Sequence, residues 1–424
     1  MRCSLVAAFL TMGASFTVLQ TVMVRELLVS FSGNELSIGL VLGAWLVLEA
    51  LGAGVAGRLS RRIPPQPAAY AALQSAWALL LLPSLLAALR VRSLAGAVPG
   101  EAIGPPAALL ASLLVLCPLG LVAGASFAIA VAAYAGYAGA PQSPGRIYAL
   151  EAAGSIAGGV TFTYLLLPLL SSTQILLLVA SLNLASAASL FLASPRRRVP
   201  GGTMTGLLAV GALAILASPL GPALHRWAVA GRWAPAHLAF EGNSPYGNVA
   251  AIAEAGQVTV FSNGSPVLTA PDPDVAAVEE MVHLPALFLN EPPRRALVIG
   301  GGAGGVAHEL LRYPLERLDY AELDPMLIQA IRAVPTSLTT EELSDPRLHL
   351  ALTDGRRFVM ECRSEADAHQ YDLILVNLPY PSTLVLNRLY TREFYQQVRA
   401  LLKPAGLLVA PSPCLLYTSP SPRD

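Results

Sequence analysis

The first 220 residues contain no lysine and no aspartate. Eleven arginines stand there against five glutamates, a net charge of +6, so the remaining 204 residues must carry −6 for the whole chain to reach zero. Charged residues make up only 13% of the chain and apolar ones 54%, with a mean hydropathy of +0.57. Such values lie far outside those of soluble domains. The four cysteines (Cys3, Cys117, Cys362 and Cys414) form no CxxC pair, which argues against a disulfide framework or a zinc knuckle. Six histidines occur without HExxH or paired spacing, so no metal is expected. GK[ST] is absent, which excludes the triphosphate-binding P-loop. No basic run exists beyond Arg196–Arg198, and nucleic acid is not an expected partner.

What the first half does have is long apolar runs. About 20 apolar residues cross a hydrocarbon core. Candidate spans lie near 5–30, 36–57, 68–89, 107–134, 147–169, 173–194 and 203–219. The first is too long for a signal peptide, lacks a small-residue cleavage site and is followed by further spans. Arginines at 58, 61 and 62, at 146 and at 196–198 mark cytoplasmic loops. Seven spans then carry residue 220 outside, against the cytoplasmic placement expected of a domain using a cytosolic cofactor, unless 203–219 is re-entrant or interfacial. Gln20, Arg25, Glu26, Glu35, Glu49 and Glu151 fall in or beside spans; they read either as a polar pathway or as snorkelling ends and an internal ion pair. Gly154 and Gly158 have the GxxxG spacing of a helix-packing face.

The pattern changes near residue 241. "GNVAAIAEAGQVTVFSNGSPVLTA" alternates in short β-rich runs broken at Ala255-Gly256 and Asn263-Gly264, a hairpin signature. "VAAVEEMVHLPALFL" (275–289) has helical spacing, with Val278, Met281 and Val282 on one face. Strands and helices then alternate. "RALVIG", "RLDYAELD", "LHLALTD", "YDLILVNLP" and "GLLVAPS" read as strands; "AGGVAHELLRYP", "PMLIQAIRAV" and "NRLYTREFYQQVRALLKP" read as helices. Strand–helix repetition implies a doubly wound, mostly parallel sheet. The expected organisation is a multi-span α-helical membrane domain (1–220), a linker (221–240), a β-hairpin subdomain (241–274) and an α/β domain (275–413). The polar "LLYTSPSPRD" lacks strand or helix periodicity. Residues 414–424 therefore read as a non-native tail, with the sheet cut short after its fifth strand.

Ligands of such sheets bind beyond the carboxyl ends of the strands. Gly300, Gly301, Gly302, Gly304 and Gly305 follow the first strand and admit close backbone approach. Glu322 comes 20 residues after Gly302 at the end of the second strand, the spacing at which a carboxylate reaches ribose hydroxyls. Asp354-Gly355 ends another strand and is placed to meet the base. Together they favour a nucleoside cofactor over glycines that merely tighten a turn, and the GGxGG pattern weakens a nicotinamide reading.

Residues 241–413 resemble the spermidine synthase family, the polyamine aminopropyltransferases built on a class I methyltransferase-type sheet. The matching stretches are "EEMVHLPAL", "LVIGGGAGGVAHELLRYP", "AELDP", "DPRLHLALTDGRRFV", "YDLILVNLP" and "LYTREFYQQVRALLKPAGLLVAPS". The first half, with "RELLVSFSGNELSIG" and "IYALEAAGSIAGG", resembles a membrane-embedded branch of that family. The resemblance implies that the glycine turn, Glu322, Asp354 and Gly355 bind decarboxylated S-adenosylmethionine or S-adenosylmethionine. On the polyamine side it departs. The family acid after GGG is Ala303, the catalytic aspartate position is Asn377 and the second acid of that loop is Tyr380. A family histidine corresponds to Glu279, and an early cofactor glutamine to Gly247.

Aminopropyl transfer needs a group to accept the attacking amine's proton and acids to hold the other cationic nitrogens. Asn377 takes no proton at neutral pH, and Tyr380 is a poor substitute. The expectation is an integral membrane transferase, in the inner or plasma membrane, that alkylates an amine. Two alternatives stay open. One is a methyltransferase acting on a non-polyamine acceptor that Asn377-Leu378-Pro379-Tyr380 orients. The other is a transporter-like protein with a nucleoside- or polyamine-sensing domain. Homo-oligomerisation is left open as well.

Overall fold

The computed structural model describes residues 2–33, 35–60, 66–138, 144–194, 199–364, 370–379 and 384–411. The chain divides into two compact units, Met1–Pro235 and Ala236–Asp424.

The first unit is entirely helical among the described residues: α1 (Arg2–Phe31), α2 (Glu35–Leu59), α3 (Pro67–Leu94), α4 (Pro105–Ala138), α5 (Pro144–Thr161), α6 (Leu167–Leu169), α7 (Ser172–Ala193), α8 (Val199–Ala217) and α9 (Leu220–Trp233). A π-helical turn at Phe162–Leu166 joins α5 to α6. Each apolar run singled out in the sequence is a helix, and seven of the helices are long and apolar enough to cross a membrane. Close packing follows from small residues. A Cβ on Gly13 would strike the backbone of Glu151, and one on Gly154 that of Leu10, so α1 and α5 touch backbone to backbone. Gly52 lies in the same way on Leu121, and Gly124 on Glu49, between α2 and α4. Ser171 and Gln174 close α7 with reciprocal side-chain bonds.

Residues 221–240, expected as a linker, are mostly α9, which packs within the helical unit. Its amphipathic spacing buries His225, Ala228, Val229, Arg232 and Trp233, and a helix with such a face is stable only against a partner. Arg232 forms a buried ion pair with Glu26, which also accepts from Ser172 Oγ.

The second unit opens with an antiparallel sheet in the order β1 (Leu238–Ser244), β2 (Gly247–Glu254), β3 (Gln257–Ser262) and β4 (Ser265–Ala270). Ala255-Gly256 and Asn263-Gly264 both have φ near +50° and +80°, the two positive values that a type I′ hairpin turn requires. Then follow α10 (Val275–Ala286), β5 (Arg295–Ile299), α11 (Val306–Leu311), β6 (Arg317–Glu322), α12 (Pro325–Ala333), α13 (Ser337–Ser344) and β7 (Leu348–Leu352). The unit continues with α14 (Gly355–Ser364), β8 (Tyr371–Val376), α15 (Leu384–Asn387), α16 (Arg392–Arg399) and β9 (Leu402–Val409). The five later strands are parallel in the order β7-β6-β5-β8-β9.

Alternation along β5 sets the two cores. Ala296 and Val298 face the antiparallel sheet, α11 and α12. Leu297 and Ile299 face Val359, Phe394 and Val398 on the other side. The run 387–404, expected as one helix, is broken. Thr391 restarts it by accepting from Phe394 N–H, and Pro404, unable to continue a helix, already lies in β9. Helix α13 has no counterpart among the sequence expectations. The proposed tail, Cys414 included, lies outside the described residues.

Candidate functional site

Strand β5 is central, and the sheet grows from it in opposite directions through β6 and β8. A crevice opens at such a reversal, and the glycine turn emerges there. Gly300, Gly301, Gly304 and Gly305 have φ of +71°, +52°, +90° and +118°, a region costly for residues with a Cβ. Space matters equally. A Cβ on Gly301 would meet Asn377, and one on Gly302 the ring of Tyr320. Gly304 and Gly305 are boxed by Leu268 and by Pro273 and Val278.

Glu322 ends β6 beside this turn and is only 6% exposed. Its carboxylate accepts from Tyr320 Oη at 2.6 Å, from Asp324 N–H at 3.2 Å and from the Gly301 amide. Burial pushes its pKa above the ordinary glutamate value although these donors pull it down. Asp324 caps α12 through Met326 N–H and accepts from Ser244 Oγ at 2.8 Å, tying β1 to the site. Asp354 caps α14 with one oxygen, accepting from Arg356 N–H at 3.0 Å and Arg357 N–H at 3.1 Å. Its other oxygen pairs with Arg388. A Cβ on Gly355 would meet Ile299.

Asn377 Nδ2 donates to Gly301 O at 2.7 Å, and Asn377 N–H donates to Ile299 O at 3.0 Å. The residue at the family's base position therefore braces the turn. Ala303 is 6% exposed and packs in the apolar core. Glu279 is exposed on α10, and Gly247 opens β2. Tyr380 lies outside the described residues. The structure thus brings Gly301, Glu322 and Asn377 into direct contact and sets Glu279 apart on the helix surface.

Two constellations escaped the sequence reading. His283 bridges Tyr313 Oη at 2.7 Å and Glu309 at 2.9 Å, and Arg312 pairs with the same carboxylate. This cluster locks α10 to α11 beside the turn. Glu342 of α13 is completely buried. One oxygen accepts from Gly304 N–H at 2.8 Å, the other from Gly305 N–H at 2.7 Å and His308 N–H at 3.1 Å. Burial raises its pKa against the pull of those amides. The only signal for α13 was the Thr336–Thr339 capping pair inside a polar stretch. Among the described residues no group of His, Cys, Asp or Glu is placed to hold a metal ion.

A parallel, doubly wound sheet with a glycine turn at its reversal and a carboxylate ending the adjacent strand defines a Rossmann-like domain. Residues 275–422 match the Spermine/spermidine synthase domain. The polyamine aminopropyltransferase of Nitrosomonas europaea is 43% identical over 143 residues, 34% of this chain and 42% of that protein. That of Mycobacterium tuberculosis (strain H37Rv) is 30% identical over 294 residues, 68% of this chain and 54% of that protein. The latter alignment exceeds the 189 residues from Ala236 to Asp424 and so reaches into the helical unit. A crystal structure of spermidine synthase in complex with the transition state analogue AdoDATO is 25% identical, with a TM-score of 0.36 over 41% of this chain and 57% of that one. The chain spans about half the length of the curated relatives it matches. Its residues 275–422 thus carry a spermine/spermidine synthase-type domain, and the chain is similar to the polyamine aminopropyltransferases.

Proposed function

We propose that this chain is an integral membrane transferase that uses a sulfonium nucleoside, decarboxylated S-adenosylmethionine or S-adenosylmethionine, to alkylate an amine. The observation that carries the reading is the joint placement of the glycine turn, Glu322 and Asp354 at the carboxyl ends of β5, β6 and β7. The donor set suits the ligand. Carboxylates match ribose hydroxyls, an exocyclic amine and a positive sulfur, and the turn's glycines leave backbone close to the bound molecule. Glu322 would hold the ribose and Asp354 the base. When bound, the sulfonium supplies an activated carbon with a thioether leaving group.

In aminopropyl transfer the acceptor nitrogen bonds to the carbon next to sulfur. The C–S bond breaks with its electrons going to sulfur, methylthioadenosine leaves, and the new ammonium loses a proton. Asn377 cannot take that proton, and its amide nitrogen is engaged with Gly301 O. An acceptor that reaches the site as a free amine, passing its proton to water, fits this chain better than a fully charged polyamine held by several acids. Aminopropylation of such an amine is the first reading. Methyl transfer to a neutral acceptor is the second, favoured by the same Asn377 substitution. The bilayer is the proposed partner of the helical unit, and the cytoplasmic side the proposed location of the soluble half.

Purified full-length protein with decarboxylated S-adenosylmethionine and putrescine is expected to release methylthioadenosine. Release from S-adenosylmethionine of S-adenosylhomocysteine instead, with a non-polyamine acceptor, would favour methyl transfer. In calorimetry Glu322→Ala should weaken sulfonium nucleoside binding by about tenfold or more, the loss of a charged hydrogen bond. Absence of binding by the parent protein, with no effect of Glu322→Ala, sinks the nucleoside reading.

A further inference from the structure

Resting on the nucleoside reading, we propose that Glu342 sets the charge preference of the glycine turn. Its carboxylate fills the turn's anion position from within, so that the site takes a cationic or neutral nucleoside and rejects a phosphorylated one.

In dinucleotide-binding sheets the amides at this turn are vacant and receive a ligand's phosphate. Here the amides of Gly304, Gly305 and His308 all donate to one buried side chain, at 2.7–3.1 Å. Both oxygens of Glu342 accept, and the three amide donors favour its charged form against the burial that opposes it. A phosphate would have to displace it, and the turn has nowhere to go. Leu268 backs Gly304, and Pro273 and Val278 back Gly305. The other charged groups reinforce the sign. Glu322 and Asp324 stand at the end of β6. The His308 ring faces Glu341 at 3.9 Å, and Arg388 is committed to Asp354. A like charge is thus repelled at the turn, and a sulfonium or alkylammonium is attracted.

Glu342 touches the turn's backbone and not the reacting atoms, so it is a positioning residue, and its test must separate charge from shape. Three adenine nucleosides serve, measured by calorimetry on the full-length protein at pH 8: decarboxylated S-adenosylmethionine (a dication), methylthioadenosine (neutral) and adenosine monophosphate (a dianion). Glu342→Gln keeps the size and an accepting oxygen while removing the charge. The expected result is dication binding weakened about threefold or more and dianion binding strengthened by a similar factor. Methylthioadenosine should stay within about twofold. Glu342→Ala should give the same ordering if Glu342→Gln proves unstable. All three affinities falling together would mean that Glu342 only supports the turn's shape, and no change in any would mean that it does neither; both outcomes overturn the proposal. If the dication fails to bind even the parent protein, the sulfonium reading fails. The comparison of methylthioadenosine with adenosine monophosphate still decides the role of Glu342.

Discussion

At the scale of single residues, three carboxylates of the second unit, Glu322, Glu342 and Asp372, divide by the sign of their effect on stability. Glu322 and Glu342 have pKa values raised by burial. A raised carboxyl favours the folded state below the ordinary glutamate value and loses that contribution as pH climbs through the folded value. At neutral pH both side chains therefore cost stability. Asp372 is the reverse. Burial alone would raise it, but Lys403 Nζ at 2.7 Å and the amides of Arg294 and Arg295, both at 2.9 Å, outweigh burial and hold it below the usual aspartate value. Its contribution is present above pH 3.8 and is lost as pH falls through the lowered folded value. Asp372→Asn should destabilise the protein by about 1 kcal/mol at pH 7. The gap should narrow as pH falls below 3.8 and through the lowered folded value. Thermal unfolding of parent and variant across that range checks this; a gap that persists at low pH would show that Asp372 acts through shape instead.

At the scale of elements, periodicity exposed what was regular, and packing decided the rest. The seven apolar helices, both Gly-containing hairpin turns and all five parallel strands were legible because burial imposes its period on the residues. The break at Thr391 and the early start of β9 were not, because "LYTREFYQQVRALLKP" has helical spacing throughout and Thr391 and Pro404 act only locally. Helix α13 was missed because its one buried acid looks like any polar residue until the glycine turn folds onto it. Packing also separates glycines that the sequence treats alike. Gly124 of α4 presses on the backbone of Glu49, whereas a Cβ on Gly43 of α2 meets nothing within 4 Å. Gly124→Ala should cost about 1–3 kcal/mol by forcing two helices apart, and Gly43→Ala should be near neutral or slightly stabilising. Thermal stability in detergent compares them, and equal effects would refute the close packing of α2 and α4.

At the scale of the whole molecule, the chain joins two units of opposite composition. One is an all-helical unit without lysine or aspartate, and the other an acidic α/β unit. If the seven apolar helices are spans, as proposed, expressed protein should stay in the membrane pellet through an alkaline carbonate wash and leave it only with detergent. Release by carbonate would remove the membrane reading and leave the nucleoside site untouched. The arginine pattern adds a sharper demand, because seven spans and a cytoplasmic soluble half disagree if the arginine-bearing loops are cytoplasmic. Cysteine labelling from each side at Cys3, which is exposed, would place the amino-terminal end and decide between them.

The sequence by itself determined the two-part composition, the order of strands and helices, and the placing of glycines and acids at strand ends. Each of these is a local or periodic property. Ala303, Asn377 and Tyr380 were likewise visible as the residues standing where the resembled family carries acids. Tertiary structure alone decided what those residues touch. Asn377 braces Gly301 from 76 positions away, Arg388 occupies Asp354 across 34, and Glu342 reaches the turn across 38. The reason is topological: the order β7-β6-β5-β8-β9 brings distant strand ends to one edge. A carboxylate without visible motif can there take the position a ligand's phosphate would otherwise hold.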